Sequence, residues 1–282
     1  MTAKKPPRKV SAFDKRAAPR LDSKNILVRG YEPLSENPTR GGPDLKALIL
    51  SGGQGLRLRP LTDDKPKPLV PLDGRPIAEW QIEWLKKNSE LEEVVFLCGY
   101  KWERLKKHFG SSYRGVKIDY SVEETPLGTG GAIKRGMTHL GSPEGNVIVT
   151  NGDILTDLPL KKMIAAHEAS VARPAVTMLL TPYRSRFGIV RIDEGKVVRR
   201  FEEKPEFPDV WINGGIYVIN SRKVMRHLPD TGDIEKETFP KLVQDGGVLS
   251  YPYRGFWCLI DSVKDLQEAE KQMKAKDTTA PG

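Results

Sequence analysis

Residues 45–71 read LKALILSGGQGLRLRPLTDDKPKPLVP. The first six form a short apolar run of strand length, and Gly52, Gly53 and Gly55 follow it at once. A buried strand that runs into a glycine turn is how parallel α/β sheets place a ligand loop at their carboxyl edge. Glycines there let backbone N–H groups close on an oxyanion. Pro66, Pro68 and Pro71 then stiffen the segment that carries Lys65 and Lys67, shortly after Arg57. The stretch is not a Walker loop, because no Gly-Lys-Ser/Thr ends it. Nor is it GxGxxG, because Leu58 holds the last position. Taken alone, the glycines describe a tight turn with solvated arginines. Cations on a stiffened loop suit a triphosphate better.

Beyond this loop, short apolar runs alternate with helical segments. PIAEWQIEWLKKN and KWERLKKHF have helical spacing, EVVFLC and KIDYSV read as strands, GGAIKRGMTHL as a helix, and NVIVTNGD as a strand ending in a polar turn. The alternation predicts an α/β fold: a Rossmann-like, doubly wound, mixed but mainly parallel sheet with helices on both faces. After Leu180 shorter strands follow: GIVRID, KVVRRFEEK, INGGIYVI, VLSYPYR and FWCLID. They are expected to extend the same sheet and build a lid-like substrate half. SRKVMRHL and IEKETFPKLVQD read as helices among them, and SVKDLQEAEKQMKAK closes the chain. No hexapeptide repeat is present, so no C-terminal β-helix is expected.

Charge and composition narrow the partners. Residues 1–44 hold ten Lys/Arg and five Asp/Glu, so +5 of the net +9 lies in a Pro-rich arm expected to be disordered. The body, expected to be one domain over 45–276 with a flexible tail over 277–282, is nearly balanced. That argues against a nucleic-acid footprint on it. No apolar run is long enough to cross a membrane. No secretory signal is read, and Cys98 and Cys258 sit in apolar runs without metal-ligand spacing, so a reducing, cytoplasmic setting with buried thiols is expected.

GGQGLRLRPLT followed by KPLVP resembles the signature of the sugar-phosphate nucleotidyltransferases, the nucleotide-sugar pyrophosphorylases. The resemblance runs over roughly 45–275 and rests on several motifs in order. It implies that Gly52, Gly53 and Gly55 bind nucleotide and that Arg57 and Lys67 are catalytic, acting on the phosphates. Leu56 departs from the threonine usual in the family. EETPLGTGGAI resembles the nucleotide-base loop and adds Glu123, Gly128 and Thr129. Guanine offers a carboxylate two adjacent donors, so Glu123 ranks GTP above CTP, and both above UTP or dTTP. The Asp of NVIVTNGD, Asp153, is implied as a ligand of Mg²⁺, the expected cofactor. RFGIVRID, FEEKP and INGGIYV imply sugar-phosphate contacts through Gly188, Glu203, Lys204 and Asn213.

GFWCLIDS departs from the W-x-D-x-G of many relatives, where the aspartate is the second metal ligand. Leu259 stands there, and Asp261 follows two residues on. The pattern W-x-x-x-D-[ST] resembles the glucose-1-phosphate cytidylyltransferases, and a shift of two along a strand keeps a side chain on one face. Asp261 is therefore the expected second ligand. The competing reading makes it a cap of the last helix. The implied reaction joins an NTP and a sugar-1-phosphate into an NDP-sugar and pyrophosphate, with GTP and mannose-1-phosphate first, glucose-1-phosphate cytidylyl transfer second, and a silent nucleotide-sugar-binding regulator third. A homo-oligomer is compatible with this reading.

Overall fold

The computed structural model describes residues 45–141 and 144–279 of the 282-residue chain. The expected arm over 1–44, with its NILVRGY run, lies outside the described residues, as do the last three residues of the expected tail. From the amino end the elements are β1 (Leu45–Ser51), the short pair β2 (Pro71–Leu72) and β3 (Arg75–Pro76), α1 (Ile77–Lys87), β4 (Leu91–Cys98), α2 (Trp102–Phe109), β5 (Ser112–Tyr113), β6 (Val116–Val122), α3 (Gly128–His139), β7 (Asn146–Asn151), β8 (Ile154–Thr156) and α4 (Leu160–Ala169). The second half holds β9 (Val176–Arg184), β10 (Ile189–Ile192), β11 (Val198–Glu202), β12 (Glu206–Asn220), α5 (Ser221–Met225), α6 (Phe239–Gln244), β13 (Val248–Pro252), β14 (Trp257–Leu259) and α7 (Val263–Thr279). Helix α7 thus carries the backbone into the first three residues of the expected tail.

Eight strands form one sheet in the order β13-β9-β12-β7-β1-β4-β6-β5. β1 lies parallel to both β4 and β7, β4 parallel to β6, and β9 parallel to β13, while β12 and the edge strand β5 run the other way. The sheet is mixed and mainly parallel, as the strand–helix alternation predicts. Its strands read as apolar runs because both faces are covered. Side chains alternate between the faces. Ala47, Ile49, Val94, Phe96 and Ile148 pack with α1, α2 and α4 through Ala78, Ile82, Leu85, Leu105, Phe109 and Met163. Leu48, Val95, Leu97, Val147 and Val149 pack with α3, α5 and α6 through Ile133, Met137, Val224, Phe239 and Leu242.

The second half departs from the sequence reading in two places. β9, β12 and β13 extend the main sheet, but GIVRID and KVVRRFEEK pair only with each other as the ribbon β10–β11, and FWCLID supplies β14, which pairs with β8. β10 is exposed along its whole length, so no second layer holds it to the sheet. The segment IEKETFPKLVQD opens as a wider π-type turn over Ile234–Thr238 before α6 begins. Helix α4 belongs to the fold but not to the sequence reading. Its buried Leu160, Met163 and His167 do follow helical spacing.

A third, smaller apolar cluster ties separate parts of the chain together below the carboxyl edge. Leu58, Val70, Leu72 and Ile77 meet Leu155 of β8, Ile260 just past β14, and Leu266 and Ala269 of α7. Ile260 is fully buried there. Ile260→Ala is expected to lower stability by about 2–5 kcal/mol, the range for an emptied core position. Urea denaturation of the two proteins measures it.

Candidate active site

The parallel strands β1, β4, β6 and β7 end at Ser51, Cys98, Val122 and Asn151, and their following turns line one edge of the sheet. A cleft of about 390 Å³ lies there, bordered by Gly53, Gly55, Arg57, Lys67, Asp153 and Asp261 among others. A second, of about 610 Å³, is bordered by Gly52, Gly99, Tyr100, Glu123 and Gly128. Leu50, Gly53 and Thr129 border both, so the two form one trough over the end of β1. One loop glycine is required by its backbone: Gly55 adopts φ of 61°. A Cβ on Gly52 would lie 2.4 Å from Glu123 Oε1, so a side chain there would displace that carboxylate.

The charged residues of the first cleft converge. Lys67 Nζ stands 2.7 Å from Asp153 Oδ2 and 3.6 Å from Asp261 Oδ1. Arg57 Nη1 stands 2.5 Å from Asp261 Oδ2. The third cluster explains the convergence: Leu58, Val70, Leu155 and Ile260 are buried within three residues of Arg57, Lys67, Asp153 and Asp261 respectively. Backbone bonds complete it. Ile260 N–H donates to the Asp153 carbonyl at 2.8 Å, and Gly152 N–H donates to the Leu50 carbonyl at 2.9 Å. Two acceptor oxygens at this turn, Asp153 Oδ1 and Asn151 Oδ1, are buried without a hydrogen-bond partner. Orphaned buried oxygen acceptors, one of them on a carboxylate, are what a hard divalent cation satisfies. Among the described residues no group of three or more His, Cys, Asp or Glu gathers, so such an ion would share its shell with phosphate and water.

Asp261 does not cap α7. Ser262 does: its Oγ accepts from Asp265 N–H at 3.3 Å and donates to Asp265 Oδ2 at 2.8 Å, and Asp265 Oδ2 accepts Asp261 N–H at 3.2 Å. This reciprocal box leaves the Asp261 carboxylate facing Lys67 and Arg57. The strand itself stops at Leu259, so strand alternation is not what aims Asp261. Leu259 packs against the core, and the Ile260–Asp153 bond sets the backbone beyond it.

The remaining sequence-predicted residues fare unevenly. Glu123 reaches the second cleft, but its Oε2 accepts Leu127 N–H at 3.0 Å, which leaves one oxygen uncommitted to that bond. Thr129 borders the trough, yet its hydroxyl donates to Glu235 at 2.6 Å and accepts Ile234 N–H at 3.0 Å. The N–H groups of Gly130 and Gly131 donate to the Gly232 carbonyl, so the start of α3 is filled by the chain itself. Gly128, at φ of 74°, lets that carbonyl approach. Gly188, Glu203 and Lys204 sit together at the base of the β10–β11 ribbon, with Lys204 Nζ 3.8 Å from Glu203 Oε1, and none of them borders the first cleft. Asn213 binds Tyr217 and the Gly215 N–H within its own strand. Arg186, the first residue of the RFGIVRID motif but not singled out within it, links this segment to the cluster at 3.8 Å from Asp261. Neither cysteine is a poised nucleophile: burial pushes both thiols up to about 12, with the Glu123 carboxylate adding to the effect at Cys98.

The chain belongs to the nucleotidyl transferase family, whose model matches residues 46–276. Over 228 residues it is 35% identical to mannose-1-phosphate guanyltransferase of Debaryomyces hansenii, covering 79% of this chain and 62% of that protein. Over 178 residues it is 38% identical to D-glycero-alpha-D-manno-heptose 1-phosphate guanylyltransferase of Aneurinibacillus thermoaerophilus, covering 62% of this chain and 75% of that one. The chain therefore spans less than two thirds of the Debaryomyces relative. Among solved structures, HddC from Yersinia pseudotuberculosis complexed with GMP-PN superposes with a TM-score of 0.63 at 25% identity, over 81% of this chain and 99% of that one.

The capping assignment has a direct test. Ser262→Ala and Asp265→Ala each remove part of one reciprocal box, and a lost helix cap typically costs about 1 kcal/mol. The double variant is expected to lose little more than the worse single one, as for residues acting as a unit. Strictly additive losses in chemical denaturation would show that the two act separately.

Proposed function

We propose that this chain is a sugar-1-phosphate nucleotidyltransferase that takes GTP and mannose-1-phosphate, or a closely related sugar phosphate, to a GDP-sugar and pyrophosphate. The observation that carries the reading is the convergence of Arg57, Lys67, Asp153 and Asp261 beside the glycine turn. The names of the guanylyltransferase relatives support the base and the sugar. The substitution WCLID for W-x-D-x-G keeps cytidylyl transfer as the second reading.

In this reading the loop over Gly52–Gly55 offers backbone N–H groups to the triphosphate, and Arg57 and Lys67 turn from the carboxylates to its phosphates. A sugar-phosphate oxygen forms the new bond to the α-phosphorus, and the bond to the pyrophosphate oxygen breaks on the opposite side. The attacking phosphate is already ionised, so no side-chain nucleophile or base is required. What the protein supplies is position and positive charge where the leaving pyrophosphate gathers negative charge. Asp153 and Asp261 would hold Mg²⁺, which when bound neutralises phosphate charge and orients the reacting oxygens. Their orphaned and ion-paired oxygens suit that role. Glu203 and Lys204 are assigned to the sugar phosphate from across the base of the ribbon, with Gly188 leaving room beside them. Glu123 is assigned to the guanine edge through its remaining oxygen. Thr129 and Asn213 act through the segments they hold.

A matrix of four NTPs against several sugar-1-phosphates, scored by pyrophosphate release, tests the reading. GTP with mannose-1-phosphate is expected to give the highest kcat/KM, and no release with any pair would overturn it. In the productive pair, Arg57→Ala and Lys67→Ala are each expected to lower kcat by about two to three orders of magnitude, the usual cost of a lost transition-state donor. Near-normal kcat in both folded variants would remove them from the mechanism.

A further inference from the structure

The turn that carries Asp153 is held from below by a side chain that the motifs do not include. Gln81 lies on the buried face of α1 and is 2% exposed. Its Nε2 donates to the Asn151 carbonyl at 2.8 Å and to the Ile154 carbonyl at 2.9 Å. These two carbonyls bracket the residues Gly152 and Asp153. A primary amide carries two N–H donors on one nitrogen, and both are engaged here. The orientation of the amide follows from its neighbours, since both are carbonyl acceptors. The cost of the arrangement is visible at the other end: Gln81 Oε1 is buried without a partner. A core position that tolerates an orphaned acceptor does so because the donors serve something.

What they serve is the turn around Asp153. Between the two bracketed carbonyls, Gly152 N–H is tied to β1 through Leu50, and the Asp153 carbonyl receives Ile260 N–H, which fixes the backbone leading to Asp261. The backbone of the turn is thus pinned at four points, and Gln81 supplies two of them from a side chain. Removing its donors takes the side-chain support from both flanks of Asp153, leaving only the strand pairs Leu50–Asn151 and Ile154–Leu259 to hold them, and through Ile260 it loosens Asp261. We propose that Gln81 is a positioning residue for the pair of carboxylates, fixing their spacing for a divalent cation. This rests on the nucleotidyltransferase reading only in naming the ion's purpose; the clamp itself is geometric.

Gln81→Met keeps the side-chain length and removes both donors. Gln81→Glu keeps the shape and sets an acceptor against two carbonyls. In the presence of GTP, binding of Mn²⁺ is followed by the electron paramagnetic resonance of the free ion, alongside thermal melting and KM for GTP. Both variants are expected to bind Mn²⁺ about tenfold more weakly, as for lost outer-shell partners of a metal site. The metal concentration for half-maximal rate should rise in parallel, with KM for GTP at saturating metal unchanged. Should Gln81→Met not fold, Gln81→Glu carries the measurement alone. A fall in melting temperature with Mn²⁺ affinity unchanged would make Gln81 a packing residue and overturn the inference. The two readings fail separately. A wild-type chain that binds Mn²⁺ with GTP but releases no pyrophosphate loses the proposed reaction, whereas an active wild type whose variants keep its Mn²⁺ affinity loses the clamp.

Discussion

Two carboxylates and one lysine must meet at the end of a parallel sheet, and they come from three distant parts of the chain. The attraction of Lys67 for the two carboxylates is not enough to bring them together. Asp153 and Asp261 repel each other, and each of the three side chains gives up hydration to be there, with exposures of only 15–23%. The apolar cluster of Leu58, Val70, Leu72, Ile77, Leu155, Ile260, Leu266 and Ala269 is what forces the meeting. Burying those side chains provides the driving force, and the charged groups stand a residue or a few away from them. The glycine turn, the proline-stiffened lysine segment, β8, β14 and α7 all take their places from this cluster.

The arrangement also describes how the site waits. Lys67 and Arg57 neutralise Asp153 and Asp261 in the absence of anything else, so the carboxylates are held near each other at tolerable electrostatic cost. Phosphates and a divalent cation entering together would replace each half of these pairs with a partner of the same sign. On the proposed reading the cations would turn to phosphate and the carboxylates to metal, and the number of charge pairs would be conserved. Such an exchange needs no large rearrangement, because the backbone beneath is fixed by Gln81, Ile260 and Leu50.

Much of this was legible in the sequence because the signals were local. LKALIL with its glycine turn, EVVFLC and NVIVT read as strands since each is an apolar run with a turn at its end, and their parallel order follows from the helices between them. The charged residues were legible through the motifs in which they stand. The features that were not legible depend on distant partners. Thr129 looks like an open helix start until Glu235, more than a hundred residues on, takes its hydroxyl. Asn213 reads as a ligand residue until Tyr217 and Gly215 take up its amide. GIVRID alternates like any sheet strand, and only the absence of a covering layer shows that β10 belongs to an exposed ribbon. Gln81 sits in a helix whose period is clear, but no local pattern says that its amide points at a turn seventy residues away.

On the proposed reading, Asp153 and Asp261 act as one cation site facing the nucleotide phosphates. Crystals grown with Mn²⁺ and a non-hydrolysable GTP analogue, measured at the manganese absorption edge, test it directly. An anomalous peak in contact with both carboxylates is expected, with Lys67 withdrawn from Asp153 onto the phosphates. Manganese bound elsewhere while Lys67 still bridges the two aspartates would contradict it.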